Sequence, residues 1–115
     1  MKITVQSFNS WQIITLKGKF VVRNITMIRK FFERAQSVAL PRIALDMSEV
    51  SQIDSNAFTI LVNYQRNIIQ KDGLLVLFGI RSDVAEIFSI VGVDKLFRIC
   101  ENREDFEKHY GDMEV

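Results

Sequence analysis

The fold of this chain is decided by the stretch Asp46-Met47-Ser48-Glu49-Val50-Ser51-Gln52-Ile53-Asp54-Ser55-Asn56-Ala57-Phe58. It follows the apolar residues 43–45, which predict a buried strand, and it runs into an amphipathic helix. Polar loops between a strand and a helix commonly carry the functional residues of α/β domains. Ser55, directly after the acidic Asp54, stands where an N-cap is expected, with its side chain accepting a hydrogen bond from the first helical turn. That capping role alone would explain a serine at this position.

Outward from this stretch, apolar spacing predicts alternating strands and helices. Strands are expected at residues 3–5, 11–16, 42–47, 74–78 and 96–100, and helices at 24–37, at 55–71, between Ser82 and Gly92, and after Asn102. The Asn9-Ser10 turn predicts a hairpin, which makes the first strand an antiparallel edge strand. Because the later strands alternate with helices, they should run parallel. We therefore expect one α/β domain over residues 1–115, with a mostly parallel central sheet, an antiparallel N-terminal edge strand and about four helices.

The helix at 55–71 is predicted to have one buried and one exposed face. At 100° per residue the buried arc contains Ala57, Ile60, Leu61, Tyr64 and Ile68. Ser55 and Thr59 lie one turn apart on the exposed face, and Asn63 follows them. Phe58 and Val62 flank this face. They either pack on a neighbouring helix or form the rim of a docking surface.

Three loops should meet at the carboxyl ends of the parallel strands, where open α/β sheets usually bind ligands and partners. They are residues 18–23, 48–54 and 79–81. The segment 19–23 is predicted to be a connecting loop, in which Phe20 and Val21 are candidates for exposed apolar contacts.

Composition argues against several classes of function. The 115 residues include 15 basic and 14 acidic side chains, and this balance gives no electrostatic reason to expect nucleic acid or a membrane surface as a partner. The single cysteine, Cys100, cannot form an internal disulfide. No apolar run approaches the roughly 20 residues of a membrane span, and the N-terminus lacks a signal-peptide pattern. A cytoplasmic protein is expected.

The sequence also lacks an arrangement typical of catalysis, so we expect no enzymatic activity, no cofactor and no metal site. The single histidine, His109, lies in a polar C-terminal segment and is expected at the surface. Asp46, Glu49 and Asp54 could together bind Mg²⁺ as in a receiver domain, but the first hairpin offers no acidic pair to complete such a site. The segment 79–82 contains one glycine, and a tight turn explains it better than a phosphate-binding loop does.

The central stretch resembles the switch motif of the STAS domain, which is named after sulfate transporters and anti-sigma factor antagonists. In the antagonists this motif reads Asp-Leu-Ser-x-Val-x-x-hydrophobic-Asp-Ser-x-Gly-Leu, and its second serine is phosphorylated. Asp46 and Asp54 match the two aspartates, and Ser55 matches the phosphorylated serine. Ala57 replaces the glycine of the motif, and Phe58 replaces the final leucine.

Gly18 and residues 84–97 extend the resemblance over most of the chain. It implies a binding module in a partner-switching circuit. The unmodified form would bind an anti-sigma factor that is also a serine kinase, phosphorylation of Ser55 would end the binding, and a serine phosphatase would restore it. Two alternatives remain, namely a scaffold STAS protein without a switch and a module for a small ligand or lipid. The residues predicted to bind the partner are Asp54, Ser55, Asn56, Phe58, Thr59, Val62, Asn63, Phe20 and Val21.

Overall fold

The apolar segments of the chain form a five-stranded sheet in the computed structural model, which describes residues 1–112. The strands are β1 (Lys2–Phe8), β2 (Trp11–Phe20), β3 (Arg42–Ile53), β4 (Leu74–Phe78) and β5 (Arg98–Cys100). The α-helices are α1 (Ile25–Gln36), α2 (Ser55–Gln70), α3 (Ser82–Val91) and α4 (Arg103–Tyr110). Short 3₁₀ turns, Val22–Asn24 and Asp94–Leu96, precede α1 and β5. The predicted order of elements is confirmed.

The strands lie side by side in chain order, from β1 at one edge to β5 at the other. The β1–β2 pair is antiparallel, and its two-residue turn places Phe8 opposite Trp11, with a positive φ of 52° at Asn9. The pairs β2–β3, β3–β4 and β4–β5 are all parallel. A mostly parallel sheet with an antiparallel N-terminal edge strand is therefore confirmed.

Each face of the sheet carries its own apolar cluster. The larger cluster lies under α1, α2 and α3, where Tyr64 stacks on Phe32 at 4.1 Å between ring centroids and donates a hydrogen bond to the Phe32 carbonyl at 2.9 Å. The smaller cluster lies under α4, where Phe106 is fully buried against the Trp11 ring. Since successive side chains point to opposite faces of the sheet, β3 and β4 each contribute residues to both clusters.

The largest departure from the predicted fold is the length of β3. The strand was expected to end at Met47 but continues to Ile53, because β2 also continues and pairs Gly18 with Val50 and Phe20 with Ile53. Shifts of register interrupt this pairing, so the buried side chains of β3 recur every third residue, at Met47, Val50 and Ile53. A pattern based on strict alternation cannot detect such a strand.

One burial pattern and one strand boundary also differ from the prediction. Val84 and Phe88 are buried on α3 as expected, but Ile87 and Val91 are 37% and 53% exposed, because that flank of the helix has no covering element among residues 1–112. The last strand begins at Arg98 rather than at residue 96, since residues 94–96 form a 3₁₀ turn.

Candidate functional site

The carboxyl ends of β2, β3 and β4 bring the three predicted loops together. The backbone N–H of Val22 donates to Oδ2 of Asp54 at 2.9 Å, and the Asp54 N–H donates to the Phe20 carbonyl at 3.3 Å. Gly79 lies against Ser48 so closely that a Cβ on Gly79 would be 3.1 Å from the Ser48 Cβ, and its φ of +73° also favours glycine. The segments around residues 20, 50 and 79 therefore form one continuous edge.

The side chain that caps α2 is Asp54, and the expectation that Ser55 is the N-cap is wrong. Asp54 has extended backbone angles, φ −115° and ψ 178°, and its Oδ1 accepts a hydrogen bond from the Ala57 N–H at 3.0 Å. An N-cap needs such a non-helical backbone to direct its side chain at the free N–H groups of the first turn. Ser55 is the first residue inside the helix, and its hydroxyl has no hydrogen bond to any of residues 1–112.

The carboxyl of Asp54 also ties α2 to the connection between β2 and α1. Partial burial raises the pKa of this carboxyl, but hydrogen bonds from the backbone N–H groups of Val22 and Ala57, together with Asn56, outweigh it. The pKa of Asp54 is therefore lowered, and the group is ionised at neutral pH. Within that connection, the side-chain amide of Asn24 donates to the Lys19 carbonyl at 2.7 Å instead of capping α1.

The first three turns of α2 present a polar surface. Ser55, Asn56, Thr59 and Asn63 are all exposed. The Thr59 hydroxyl donates to the Ser55 backbone carbonyl at 3.3 Å, so it does not engage the Ser55 hydroxyl. We call these four residues the α2 face.

The apolar residues predicted beside this face are placed differently by the structure. Phe58 is only 6% exposed and makes an edge contact with Phe88 of α3 at 4.9 Å between ring centroids. Of the two interpretations, helix packing is therefore correct for Phe58, and its side chain is not part of a docking rim. Val62 is half-buried and packs against the core.

In the β2–α1 connection, the expectation that Phe20 is exposed is wrong. Phe20 is the last residue of β2 and is fully buried, with its ring 6.3 Å from that of Phe32. Val21 is half-buried, and Val22 is the apolar side chain exposed here, at 62%. No sequence pattern distinguishes these three neighbouring apolar residues, because their burial depends on how far β2 remains paired with β3.

The departure from the family motif at Ala57 is accommodated in the core. The Ala57 side chain is completely buried in the large apolar cluster. Its methyl group therefore faces the interior rather than the α2 face.

The three carboxylates considered above for a Mg²⁺ site have separate partners. Asp46 accepts hydrogen bonds from the backbone and hydroxyl of Ser48 at 3.0 and 2.7 Å. Glu49 forms an ion pair with Lys17 at 3.4 Å, and Asp54 accepts hydrogen bonds from the backbone N–H groups of Val22 and Ala57. Within residues 1–112 no group of three or more His, Cys, Asp or Glu side chains could hold a metal ion, and no helix is long and apolar enough to cross a membrane.

The fold and this sheet edge define a STAS domain. The family model described as "STAS domain" matches residues 2–106, and the chain belongs to that family. A curated relative, BtrV of Bordetella bronchiseptica, is 24% identical over 104 residues, which are 90% of each protein, and is described as a candidate anti-sigma factor antagonist.

Solved structures agree on the fold. A crystal structure of TM1081 from Thermotoga maritima, described as a candidate anti-sigma factor antagonist, has a TM-score of 0.82 at 20% identity and 92% coverage of both chains. The anti-sigma factor antagonist SpoIIAA has been solved unphosphorylated, with a TM-score of 0.76, 16% identity, and coverage of 98% of this chain and 100% of SpoIIAA. The phosphorylated form of Bacillus SpoIIAA has a TM-score of 0.68 at 15% identity, and the match covers 93% of this chain and 98% of SpoIIAA. At these identities the likeness establishes the fold alone.

Proposed function

We propose that this protein is an anti-sigma factor antagonist that works by partner switching, with Ser55 as its phosphorylated residue. The observation that carries the proposal is the position of Ser55, exposed at the first residue of α2 with a hydroxyl that has no structural task, since Asp54 caps the helix. The relatives named as anti-sigma factor antagonists support the same function.

The helix start can carry a phosphate without unfolding the domain. A phosphoserine adds about −1.5 to −2 charges at pH 7. The positive end of the helix dipole favours such a charge by roughly 0.3–1 kcal/mol. Two features limit that gain, because the Ala57 N–H is already bound to Asp54 and the ionised Asp54 carboxylate lies next in the chain. The two effects oppose each other, so the net change in folding stability is expected to be small.

The same phosphate would strongly oppose a bound partner. A protein packed on the α2 face would remove water from the phosphate, and burying an unpaired charge costs several kcal/mol. This cost exceeds the helix-dipole term of at most about 1 kcal/mol. One modification would therefore release the partner through charge and desolvation, without refolding the domain.

The proposed docking surface combines the α2 face with the neighbouring connection. The exposed side chains of the α2 face would make polar contacts, while Val22 and the half-buried Val21 and Val62 would supply the apolar part. The partner would be an anti-sigma factor with serine kinase activity that brings its own ATP. This chain would then need no cofactor and would catalyse no reaction, and a serine phosphatase would reset it. Such a circuit operates in the cytoplasm.

Phosphopeptide mapping tests the assignment of the site. A pull-down from native extract, comparing wild type with Ser55→Asp, first identifies the kinase as a protein retained by wild type only. The purified kinase is then incubated with the antagonist and ATP, and phosphate is expected on Ser55. Ser48 and Thr59, which lie at the same edge, serve as internal controls. Phosphate on either of them, or an unphosphorylated Ser55, would contradict the proposal.

Calorimetry tests whether phosphorylation of Ser55 weakens binding of the kinase. Phosphorylated protein should bind the kinase at least about a hundredfold more weakly than unmodified protein, a change of roughly 2.7 kcal/mol, because burying an unpaired charge costs several kcal/mol. Ser55→Ala should bind as tightly as wild type but should not be released by ATP. If Ser55→Ala loses binding as completely as the phosphorylated form, the hydroxyl itself is needed for docking and the switch mechanism is wrong.

A further inference from the structure

A groove runs between the second half of α2 and the chain that leads into β5. It contains two adjoining cavities, a smaller one of about 290 Å³ and a larger one of about 530 Å³. Both are bounded by Gln65 and Ile69 of α2 on one side and by Leu96 and Phe97 on the other. We call the two cavities together the α2–β5 groove. Its volume lies in the range of small-molecule sites.

The groove exists because β5 begins late. The pairing of β4 with β5 starts at Arg98, which leaves residues 74–75 at the start of β4 without a partner on that side among residues 1–112. The chain before β5 leaves the sheet in the 3₁₀ turn Asp94–Leu96, and the side-chain amide of Gln65 donates to the Leu96 carbonyl, which holds this turn against α2. The larger cavity lies in the resulting gap.

Apolar side chains line the groove at two depths. Ile69 and Leu96 form the rim and are 58% and 55% exposed, whereas Phe97 and Leu75 lie deeper and are 8% and 2% exposed. A flat protein surface would cover the rim without reaching the deeper side chains. A thin aliphatic chain can contact both, and it gains affinity from each methylene group that it removes from water.

The charges around the groove are mainly positive. In the described part of the chain, Arg66 is the one charged residue that lines the smaller cavity. The larger cavity is lined by Lys95, Arg98 and a single acid, Asp72. All four side chains are exposed, and none forms an ion pair with any of residues 1–112. A free guanidinium beside an apolar cavity favours a carboxylate, because its N–H groups match the two carboxylate oxygens.

From the cavities and their charges we infer that the α2–β5 groove binds a single-chain aliphatic carboxylate, that is, a fatty acid. The chain lies between Ile69 and Leu96, over Phe97, and the carboxylate lies at Arg66. The larger cavity continues the apolar path for longer chains, since it shares these three apolar residues. The inference is independent of the proposed phosphorylation switch, although Val62 lines the smaller cavity and also belongs to the proposed docking surface.

Titration with sodium decanoate, below the concentration at which it forms micelles, tests the site. The amide spectrum of the protein should change in a saturable way, with a Kd of about 1 mM or tighter. The largest shifts are expected at residues 65–70 and 95–97. Dodecanoate should bind about tenfold more tightly than decanoate, and octanoate about tenfold more weakly, because each differs by two methylene groups. Decylammonium, which has the same chain length and the opposite charge, should bind at least about tenfold more weakly than decanoate.

Two substitutions at exposed lining residues separate the charge from the apolar wall. Arg66→Glu should weaken decanoate binding at least about tenfold and remove the preference for decanoate over decylammonium. Ile69→Ser should weaken both ligands by about fivefold, because part of the apolar wall is lost. Arg29→Glu and Val38→Ser are the matched controls, since both side chains are exposed and neither lines the groove. They should leave both affinities unchanged.

Four results would overturn the inference. They are shifts that do not saturate, shifts centred outside the groove, decylammonium binding as tightly as decanoate, and Arg66→Glu binding decanoate as well as wild type does. Because Arg66 and Ile69 are both exposed, their variants should melt close to wild type, and circular dichroism checks this. If no saturation occurs, the exposed rim of the groove is left to a protein partner.

Discussion

Replacement of Asp54 by alanine tests whether this carboxylate, rather than Ser55, holds the start of α2. The variant loses the cap on the Ala57 N–H, which is worth about 1 kcal/mol. It also loses the hydrogen bond from the Val22 N–H, worth about 1 kcal/mol because solvent exposure reduces it below the roughly 1.5–3 kcal/mol of a hydrogen bond to a charged group. The free energy of unfolding should therefore fall by about 2 kcal/mol, and the midpoint of thermal unfolding should fall by about 8 °C for a domain of this size.

Two matched variants resolve this loss into its parts. Asp54→Asn keeps a capping oxygen for the Ala57 N–H, but it has no second acceptor for Val22, so it should cost about 1 kcal/mol. Ser55→Ala should cost less than about 0.5 kcal/mol, as an exposed substitution away from any cap. Urea denaturation followed by circular dichroism at pH 7 measures all three. The reasoning is refuted if Ser55→Ala is as destabilising as Asp54→Ala.

The pH dependence of the same variants provides a second check. The pKa of Asp54 is lower in the folded protein than its ordinary value, so the unfolded chain binds more protons in acid. Its contribution is therefore complete above the unfolded pKa of about 3.9 and is lost as the pH falls through the folded pKa. The difference in stability between wild type and Asp54→Ala should be constant from pH 5 to 8 on this account and should shrink below about pH 4. A difference that persists unchanged at about pH 2.5 would mean that the ionised carboxylate is not its source.

Three further predictions concern neighbouring residues. Protein phosphorylated on Ser55 should melt within about 4 °C of unmodified protein, and its amide spectrum should change only around residues 18–23, 48–59 and 79–81; shifts throughout the sheet would contradict a local charge effect. Ala57→Gly should lower the free energy of unfolding by about 1–2 kcal/mol, because it removes a buried methyl group and glycine is the poorer helix former. Partner affinity measured by calorimetry should not change, because the Ala57 side chain faces the core. Val22→Asp should weaken partner binding with little effect on the melting temperature. Phe20→Ala should instead lower the free energy of unfolding by about 3–5 kcal/mol, because its ring is fully buried. Equal effects of the two variants on stability would show that Val22 is not a surface residue.

The order of elements and the identity of the motif could be predicted from sequence because both are local properties. Strands and helices follow from apolar spacing over a few residues, and the buried arc of α2 follows from helical geometry alone. All five residues assigned to that arc are buried in the structure. The position of Ser55 at the start of the helix likewise follows from the motif and the first apolar turn.

Other features depend on how distant segments meet, and the tertiary structure alone decided them. The continuation of β3 to Ile53, and with it the burial of Phe20, requires pairing between strands about thirty residues apart with irregular register. The choice of Asp54 over Ser55 as cap depends on the extended backbone at residue 54 and on the Val22 N–H from another loop. The flank of α3 that carries Ile87 and Val91 is exposed because no element among residues 1–112 covers it. Local patterns specify which side chains are apolar, but whether a given apolar side chain is buried depends on neighbours that only the folded chain supplies.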